Sequence, residues 1–180
     1  MKRLAVLLLL ACLLPLVGCI KTDVKPEPKD TNEDKGVSSW QEPPPRLSLL
    51  SRDDDTSYGA TLSDYCWGLD EEGKPCKAYP DDPWDATMGN YTLRVATKTR
   101  VPVTFNNFSL PNPDEVIFRQ YRYKDKVGEN VEYVQNGVNF FDFISPEEAG
   151  VYYYVFYFKW DDEEVKGEAY YAMKLSVSER

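Results

Sequence analysis

The ten residues VYYYVFYFKW, at positions 151–160, give the strongest indication of the fold. Alternate positions of an extended chain point to the same side, and one side here carries five aromatic residues: Tyr152, Tyr154, Phe156, Phe158 and Trp160. The other side carries Val151, Tyr153, Val155 and Tyr157. A strand that is apolar on both faces is typical of the interior of a sheet. This segment is therefore predicted to be a central strand.

The other strands are predicted from the same alternation. EAYYAMKLSV, at 168–177, reads as a half-buried strand, and so does VPVTF, at 101–105, where Pro102 favours an edge position because it has no N–H group. Further strands are expected near 47–52, 57–66, 91–97, 115–123, 131–134 and 139–144. Seven or more short strands, with no helical period over ten residues, predict an all-β antiparallel sandwich.

The stretch SPEEAG, at 145–150, precedes the central strand. Ser145 is predicted to cap a single helical turn, with Pro146 in the first position and Glu148 reaching back as in a capping box.

The pattern Glu148-x-Gly150-x-Tyr152 resembles the tyrosine corner of immunoglobulin domains. Tyr154 stands where antibody domains have a cysteine, so their disulfide between the sheets is missing. The resemblance implies an immunoglobulin-like sandwich, which we expect to span residues 47–180.

Residues 1–18 have the pattern of a secretory signal peptide. The apolar run at 4–17 is shorter than the roughly 20 residues that a membrane-spanning helix needs. It ends in Leu16-Val17-Gly18-Cys19, which resembles the lipobox of bacterial lipoproteins. That resemblance implies a diacylglycerol on Cys19, which becomes the mature N-terminus. The alternative is an ordinary signal peptide with an incidental cysteine.

Residues 19–46 are rich in proline and charge, which predicts a disordered linker. The net charge of −9 becomes −11 when Lys2 and Arg3 leave with the signal peptide. Anionic lipid headgroups and nucleic acid both repel such a chain. We therefore expect an extracytoplasmic protein held to the membrane by the lipid on Cys19, with no nucleic acid partner.

Cys66 and Cys76 are the pair that remains after Cys12 is removed and Cys19 is acylated. Turn-forming residues lie between them, and cysteine pairs outside the cytoplasm commonly form disulfides. A structural disulfide is the expected outcome. Free or regulatory thiols and a metal site are the alternatives, although the spacing does not match the short knuckles of zinc sites.

The sequence contains no histidine, which removes the commonest general base and every Ser-His-Asp or Cys-His arrangement. Paired carboxylates in DDPWD (81–85) or DDEE (161–164) could hydrolyse a glycoside, and RDDDTS (52–57) or DDPWD could bind calcium. A proline-containing turn and a hairpin loop are the favoured explanations of DDPWD and DDEE, whose charges are then simply solvated. We expect no catalytic residues, no metal and no cofactor.

Trp67, Tyr79 and Trp84 lie in the irregular region around the two cysteines. Exposed rings there could stack on a glycan or fill a partner's pocket. Alternatively, the three rings fold inward and cover one end of the sandwich.

With its lipobox and cysteine loop, the chain resembles small envelope lipoproteins of Gram-positive bacteria, a likeness that implies no activity. The first hypothesis is a lipid-anchored, non-catalytic adaptor that binds an envelope protein or peptide. The second is a glycan-binding module that uses Trp67, Tyr79 and Trp84.

Overall fold

The computed structural model describes residues 44–51, 55–67, 77–107, 110–125, 127–162 and 165–179. They contain eleven strands and one short helix, α1 (Pro83–Ala86), which lies between the third and fourth strands. The strands are β1 (Leu47–Ser51), β2 (Thr56–Gly59), β3 (Thr61–Trp67), β4 (Thr92–Ala96), β5 (Arg100–Phe105), β6 (Glu115–Tyr121), β7 (Glu129–Asn130), β8 (Tyr133–Gly137), β9 (Phe140–Ile144), β10 (Gly150–Asp161) and β11 (Lys166–Ser178). The predicted signal peptide, Cys19 and residues 20–43 lie outside the described residues.

The strands form two sheets that pack face to face. One has five strands in the order β2-β1-β5-β9-β8, and the other has six, in the order β3-β11-β10-β6-β7 with β4 also paired to β11. Strand β4 runs parallel to β11, and the other described pairs are antiparallel. The prediction of an all-β sandwich with seven or more strands is confirmed.

The strand order follows the immunoglobulin scheme. In that scheme strands A, B, E and D form one sheet and strands G, F and C the other. Here β1-β5-β9-β8 has the order of the first sheet, and β11-β10-β6 has the order of the second. The chain from β2 to α1 is an addition between the first strand and β4. Residues 77–86 of this addition cover part of the outer face of the six-stranded sheet.

Strand β10 lies inside its sheet, as predicted. It pairs with β11 over twelve positions, from Gly150 opposite Val177 to Asp161 opposite Lys166. Its other edge pairs with β6 over seven positions. The inner face of β10 is fully buried, whereas Val151 on the outer face is 46% exposed. The outer face is therefore covered only in part.

The core between the sheets is built from aromatic rings. Phe118 on β6 lies among four of them, with ring centroids 4.8 Å from Phe156, 6.0 Å from Phe158, and 6.1 Å from both Phe141 and Phe143. The rings meet edge to face, and such pairs add about 0.5–1.5 kcal/mol each beyond the burial of their surface. Aromatic packing thus joins the two sheets.

Tyr154 occupies the position of the missing cysteine and is fully buried. Its ring centroid lies 4.8 Å from that of Phe143 on the facing sheet, and its hydroxyl donates to Gln120 Oε1 at 3.1 Å. Burial raises the pKa of Tyr154. A packed ring with a satisfied hydroxyl therefore links the sheets where an antibody domain has a covalent bond.

The predicted tyrosine corner is present. The Tyr152 hydroxyl donates to the backbone carbonyl of Glu148 at 3.0 Å, and the Arg122 guanidinium carbon lies 5.4 Å from the Tyr152 ring centroid. Arg122 also forms an ion pair with the Glu148 carboxylate. The corner fixes the chain where it turns from the 145–149 loop into β10.

Two local predictions are wrong. Ser145 does not cap a helical turn, because its hydroxyl donates to Ala96 O at 2.7 Å and accepts from the Thr99 N–H at 2.8 Å. Strand β5, which contains Pro102, is not an edge strand but lies between β1 and β9. The proline is tolerated because the ladder with β1 ends at Val103.

The remaining strand predictions agree with the structure except in two places. The strand predicted at 57–66 is divided at Ala60, where the chain passes from β2 in the five-stranded sheet to β3 in the six-stranded one. The strand predicted at 131–134 lies at 133–137, and the two-residue strand β7 precedes it. Pro44 and Pro45, at the end of the predicted linker, are buried, and Pro45 O accepts a hydrogen bond from Tyr171 at 2.6 Å.

Replacing Tyr152 by Phe removes the hydrogen bond of the tyrosine corner and keeps the ring. We expect the free energy of unfolding to fall by about 1 kcal/mol, measured by urea denaturation. The same change at Tyr91, whose side chain is 84% exposed, is the matched control and should have little effect. Equal stability of the two variants would contradict the role of the corner.

Candidate functional site

Residues 77–82 cross the outer face of the six-stranded sheet without forming a strand. Side chains of the sheet accept three of the backbone N–H groups: Ala78 donates to Glu168 Oε1 at 2.6 Å, Tyr79 to Asp64 Oδ2 at 2.6 Å, and Asp81 to Ser63 Oγ at 3.1 Å. Hydrogen bonds to carboxylates are shorter and stronger than neutral ones. Asp64 and Glu168 therefore hold this segment against β3 and β11.

Helix α1 follows directly and is a single turn, as expected for the proline-containing DDPWD stretch. Pro83 suits the first helical position because its missing N–H would have no partner there. The Thr87 hydroxyl donates to Pro83 O at 2.7 Å, and both residues are buried. Because α1 packs against β3, β10 and β11, it carries Trp84 onto the outer face of the sheet.

A groove of about 940 Å³ lies between this segment and β6. We call it the outer-face groove. Its floor consists of Val155, Tyr157 and Tyr170, and residues 80–84 form one wall. Strand β6, which neighbours β10 in the sheet, and the residues after it contribute the rest of the lining: Glu115, Ile117, Arg119, Tyr121, Lys124 and Asp125. Strand β6 has seven residues, so the groove follows it for about 20 Å at the usual rise of a strand.

Two tyrosines define the chemistry of the floor. The ring centroids of Tyr157 and Tyr170 are 4.7 Å apart, and the Tyr157 hydroxyl donates to Glu168 Oε2 at 2.9 Å. Burial raises the pKa of Tyr157, and the hydrogen bond and charge of Glu168 raise it further. Burial and then the charge of Glu168 also raise the pKa of Tyr170. Both hydroxyls therefore stay protonated at neutral pH.

Glu168 connects the floor of the groove to its wall. One carboxylate oxygen accepts the N–H of Ala78 and the other accepts the hydroxyl of Tyr157. Glu168 therefore holds the wall and the floor together through two hydrogen bonds, alongside the contacts of Asp64 and Ser63.

Trp84 closes the groove at the end near β6. Its ring centroid lies 6.3 Å from that of Tyr123 in an edge-on arrangement, and the Tyr123 centroid lies 6.0 Å from that of Tyr153. The Lys124 ammonium lies 5.0 Å from the centre of the Tyr123 ring. Trp84 is half-buried, so its neighbours hold the ring while part of its surface remains open to the groove.

The structure separates the three aromatic residues that the sequence grouped together. Trp67 packs inward, with its ring centroid 5.2 Å from that of Trp160. At the paired Gly167, a Cβ would lie only 1.7 Å from the Trp67 ring. Tyr79 is 78% exposed and does not line the outer-face groove, whereas Trp84 does. Trp67 is partly buried and packs against the core, which agrees with the alternative of a ring that folds inward.

The structure describes one of the two cysteines in the predicted disulfide. The Cys66 sulfur takes part in a disulfide. Cys76 and Cys19 lie outside the described residues. The pairing of Cys66 with Cys76 and the lipid on Cys19 therefore stay predictions.

The sequence did not predict that residues of β6, β10 and β11 would line a groove. It placed Val155 and Tyr157 on the second face of the central strand and took that face as covered by protein. It had no signal that Ile117, Arg119 and Tyr170 would lie beside them. One pattern in the sequence could have indicated the groove. The outer side of β10 carries two aromatic residues, Tyr153 and Tyr157, which is unusual for a face exposed to water.

The carboxylates considered for metal binding or catalysis are dispersed. Within the described ranges, no three acidic or cysteine side chains are close enough together to hold a metal ion. Asp81 and Asp82 are exposed. Part of RDDDTS lies outside those ranges, and so do Glu163 and Glu164 of DDEE, whereas Asp161 is the last residue of β10 and Asp162 follows it. No helix in the described part of the chain is long and apolar enough to cross a membrane.

Comparisons with known proteins identify no family. No family model matches the chain, and no curated protein matches it. Among solved structures, it is similar to the neutron crystallographic structure of a lytic polysaccharide monooxygenase from Jonesia denitrificans, at 10% identity and a TM-score of 0.30. The match covers 50% of this chain and 60% of that one, less than two thirds of its length. So low a TM-score supports no inference about fold or activity.

Replacing Glu168 by Ala removes the acceptor shared by Ala78 and Tyr157. We expect faster hydrogen exchange at the Ala78 amide and a loss of about 1–3 kcal/mol of stability, because both donors lose a charged partner. Glu168→Gln keeps one acceptor oxygen and should show a smaller effect. Unchanged exchange at Ala78 in Glu168→Ala would show that the wall is held by other contacts.

Proposed function

We propose that this protein is a lipid-anchored, extracytoplasmic binding module of the cell envelope, without catalytic activity. The Leu16-Val17-Gly18-Cys19 pattern supports the anchor, and the net charge of −9 supports a covalent rather than an electrostatic attachment to the membrane. The immunoglobulin-like sandwich is consistent with a binding role but does not identify the partner.

The outer-face groove is the observation that carries the proposal. Ligand sites are concave surfaces with apolar and aromatic linings and a few polar groups that fix orientation. The groove has this composition, with Trp84, Tyr157 and Tyr170 beside Arg119 and Glu115. The ladder of β10 and β11 fixes the floor, so the rings are in place before any ligand arrives.

Two observations support a module without catalytic activity. The sequence lacks histidine. Catalysis by a pair of carboxylates needs one of them shielded from water so that it holds a proton, whereas Asp81, Asp82 and Glu115 are all exposed. These carboxylates suit recognition better than proton transfer.

A second candidate is a glycan-binding module. It is favoured by the half-buried Trp84 at the groove, because an aromatic ring can stack on the apolar face of a sugar. In this form the hypothesis depends on Trp84 and the tyrosines of the floor rather than on Trp67 and Tyr79.

The anchor is tested by Cys19→Ser. We expect the wild-type protein in the membrane fraction even after a high-salt wash, because the attachment is a lipid, and the variant in the released fraction. Cys12→Ser is the matched control, since Cys12 leaves with the predicted signal peptide. Retention of Cys19→Ser in the membrane fraction would disprove the lipid anchor.

The groove is tested by crosslinking in intact envelopes with the full-length chain. We expect wild type and Tyr91→Ala to capture the same protein partner, because Tyr91 does not line the groove. Trp84→Ala should lose most of that partner, because Trp84 does line it. Retention of wild type but not Trp84→Ala on purified wall polysaccharide would favour the glycan candidate instead. Equal capture by all three chains would exclude the groove as the binding surface.

A further inference from the structure

We propose that the outer-face groove binds an extended peptide segment of its partner that carries lysine or arginine side chains. This inference rests on the proposed function and specifies its ligand. The charge of the groove, its aromatic rings and its length support this ligand.

Acidic side chains outnumber basic ones in the lining. The acidic residues are Asp81, Asp82, Glu115 and Asp125, and the basic residues are Arg119 and Lys124. The protein as a whole also carries a net charge of −9. A cationic ligand is therefore attracted both by the groove and by the surrounding field.

The two basic residues already have partners within the domain. Arg119 Nε donates to Asn130 Oδ1 at 3.2 Å, and the Lys124 ammonium lies over the Tyr123 ring. By contrast, no ion pair among the described residues involves Asp81, Asp82 or Glu115. All three are exposed, so their charge is available to a ligand.

The aromatic rings add a second source of attraction for cations. The face of a tryptophan or tyrosine attracts an ammonium or guanidinium group within about 6 Å of its centre. Trp84 on the wall and Tyr157 and Tyr170 on the floor line the same groove as the carboxylates. A lysine or arginine side chain can thus lay its apolar stem on a ring and direct its charged end to Asp81 or Asp82.

The length of the groove suits an extended peptide. It follows β6 for about 20 Å, which an extended segment of about six residues spans. Asp81 and Asp82 line the groove beside α1, and Glu115 lines it at the start of β6. Because alternate side chains of an extended segment point to the same side, basic residues at alternate positions would all face one row of these carboxylates.

The experiment measures fluorescence anisotropy of labelled hexapeptides with the full-length chain in detergent. The probes are a peptide of alternating Lys and Ala, its Glu and Ala counterpart, and a labelled hexamer of N-acetylglucosamine. We expect the lysine peptide to bind, with an affinity that falls as ionic strength rises, and the other two probes to bind at least about tenfold more weakly.

Two variants test the site itself. Trp84→Ala should raise the dissociation constant of the lysine peptide about tenfold. The double variant Asp81→Asn, Asp82→Asn leaves the ring and the fold in place and should raise it several-fold while reducing the salt dependence. Tyr91→Ala and Asp55→Asn, an exposed residue in the β1–β2 turn, are the matched controls and should bind as wild type does.

Each other outcome overturns the inference. It fails if the lysine peptide does not bind, if the controls weaken binding as much as the groove variants do, or if the oligosaccharide binds more tightly than the peptide. The proposed function fails separately, when Trp84→Ala captures its envelope partner as well as wild type does. Loss of capture together with no lysine-peptide binding would leave the groove as the site and exclude the cationic ligand.

Discussion

Strand β10 carries apolar and aromatic side chains on both faces, and each face needs a covering layer. The five-stranded sheet covers the inner face completely. Residues 77–86 cover only part of the outer face. The uncovered remainder, around Tyr157 and Val155, is the floor of the outer-face groove. The central strand of the fold therefore also creates the candidate site.

The domain joins its sheets without the disulfide that antibody domains place between them. Phe118 and the rings around it fill the space, and buried Tyr154 stands where the cysteine would be. The hydrogen bond of Tyr152 to Glu148 O fixes the entry into β10. Cys66, whose sulfur takes part in a disulfide, lies instead near the end of β3. Packing of aromatic rings therefore stabilises the contact between the sheets.

The floor and the wall of the groove are held by different forces. The floor belongs to strands that pair over many positions, so many backbone hydrogen bonds hold it in place. Residues 77–82 are held by single hydrogen bonds to Glu168, Asp64 and Ser63. Substitutions in this wall can therefore alter charge and shape without disturbing the core. This division resembles the general arrangement in which loops on a rigid scaffold carry specificity.

The sequence predicts the fold class, most of the strands, the central position of β10 and the tyrosine corner. These features depend on alternation and on contacts between residues close in the chain, which a sequence displays directly. The tertiary structure alone shows that Trp67 packs against the core, that Ser145 binds the 96–99 turn, and that Trp84 and Tyr157 line one groove. Those outcomes depend on contacts between distant residues, and sheet pairing sets them rather than any local pattern.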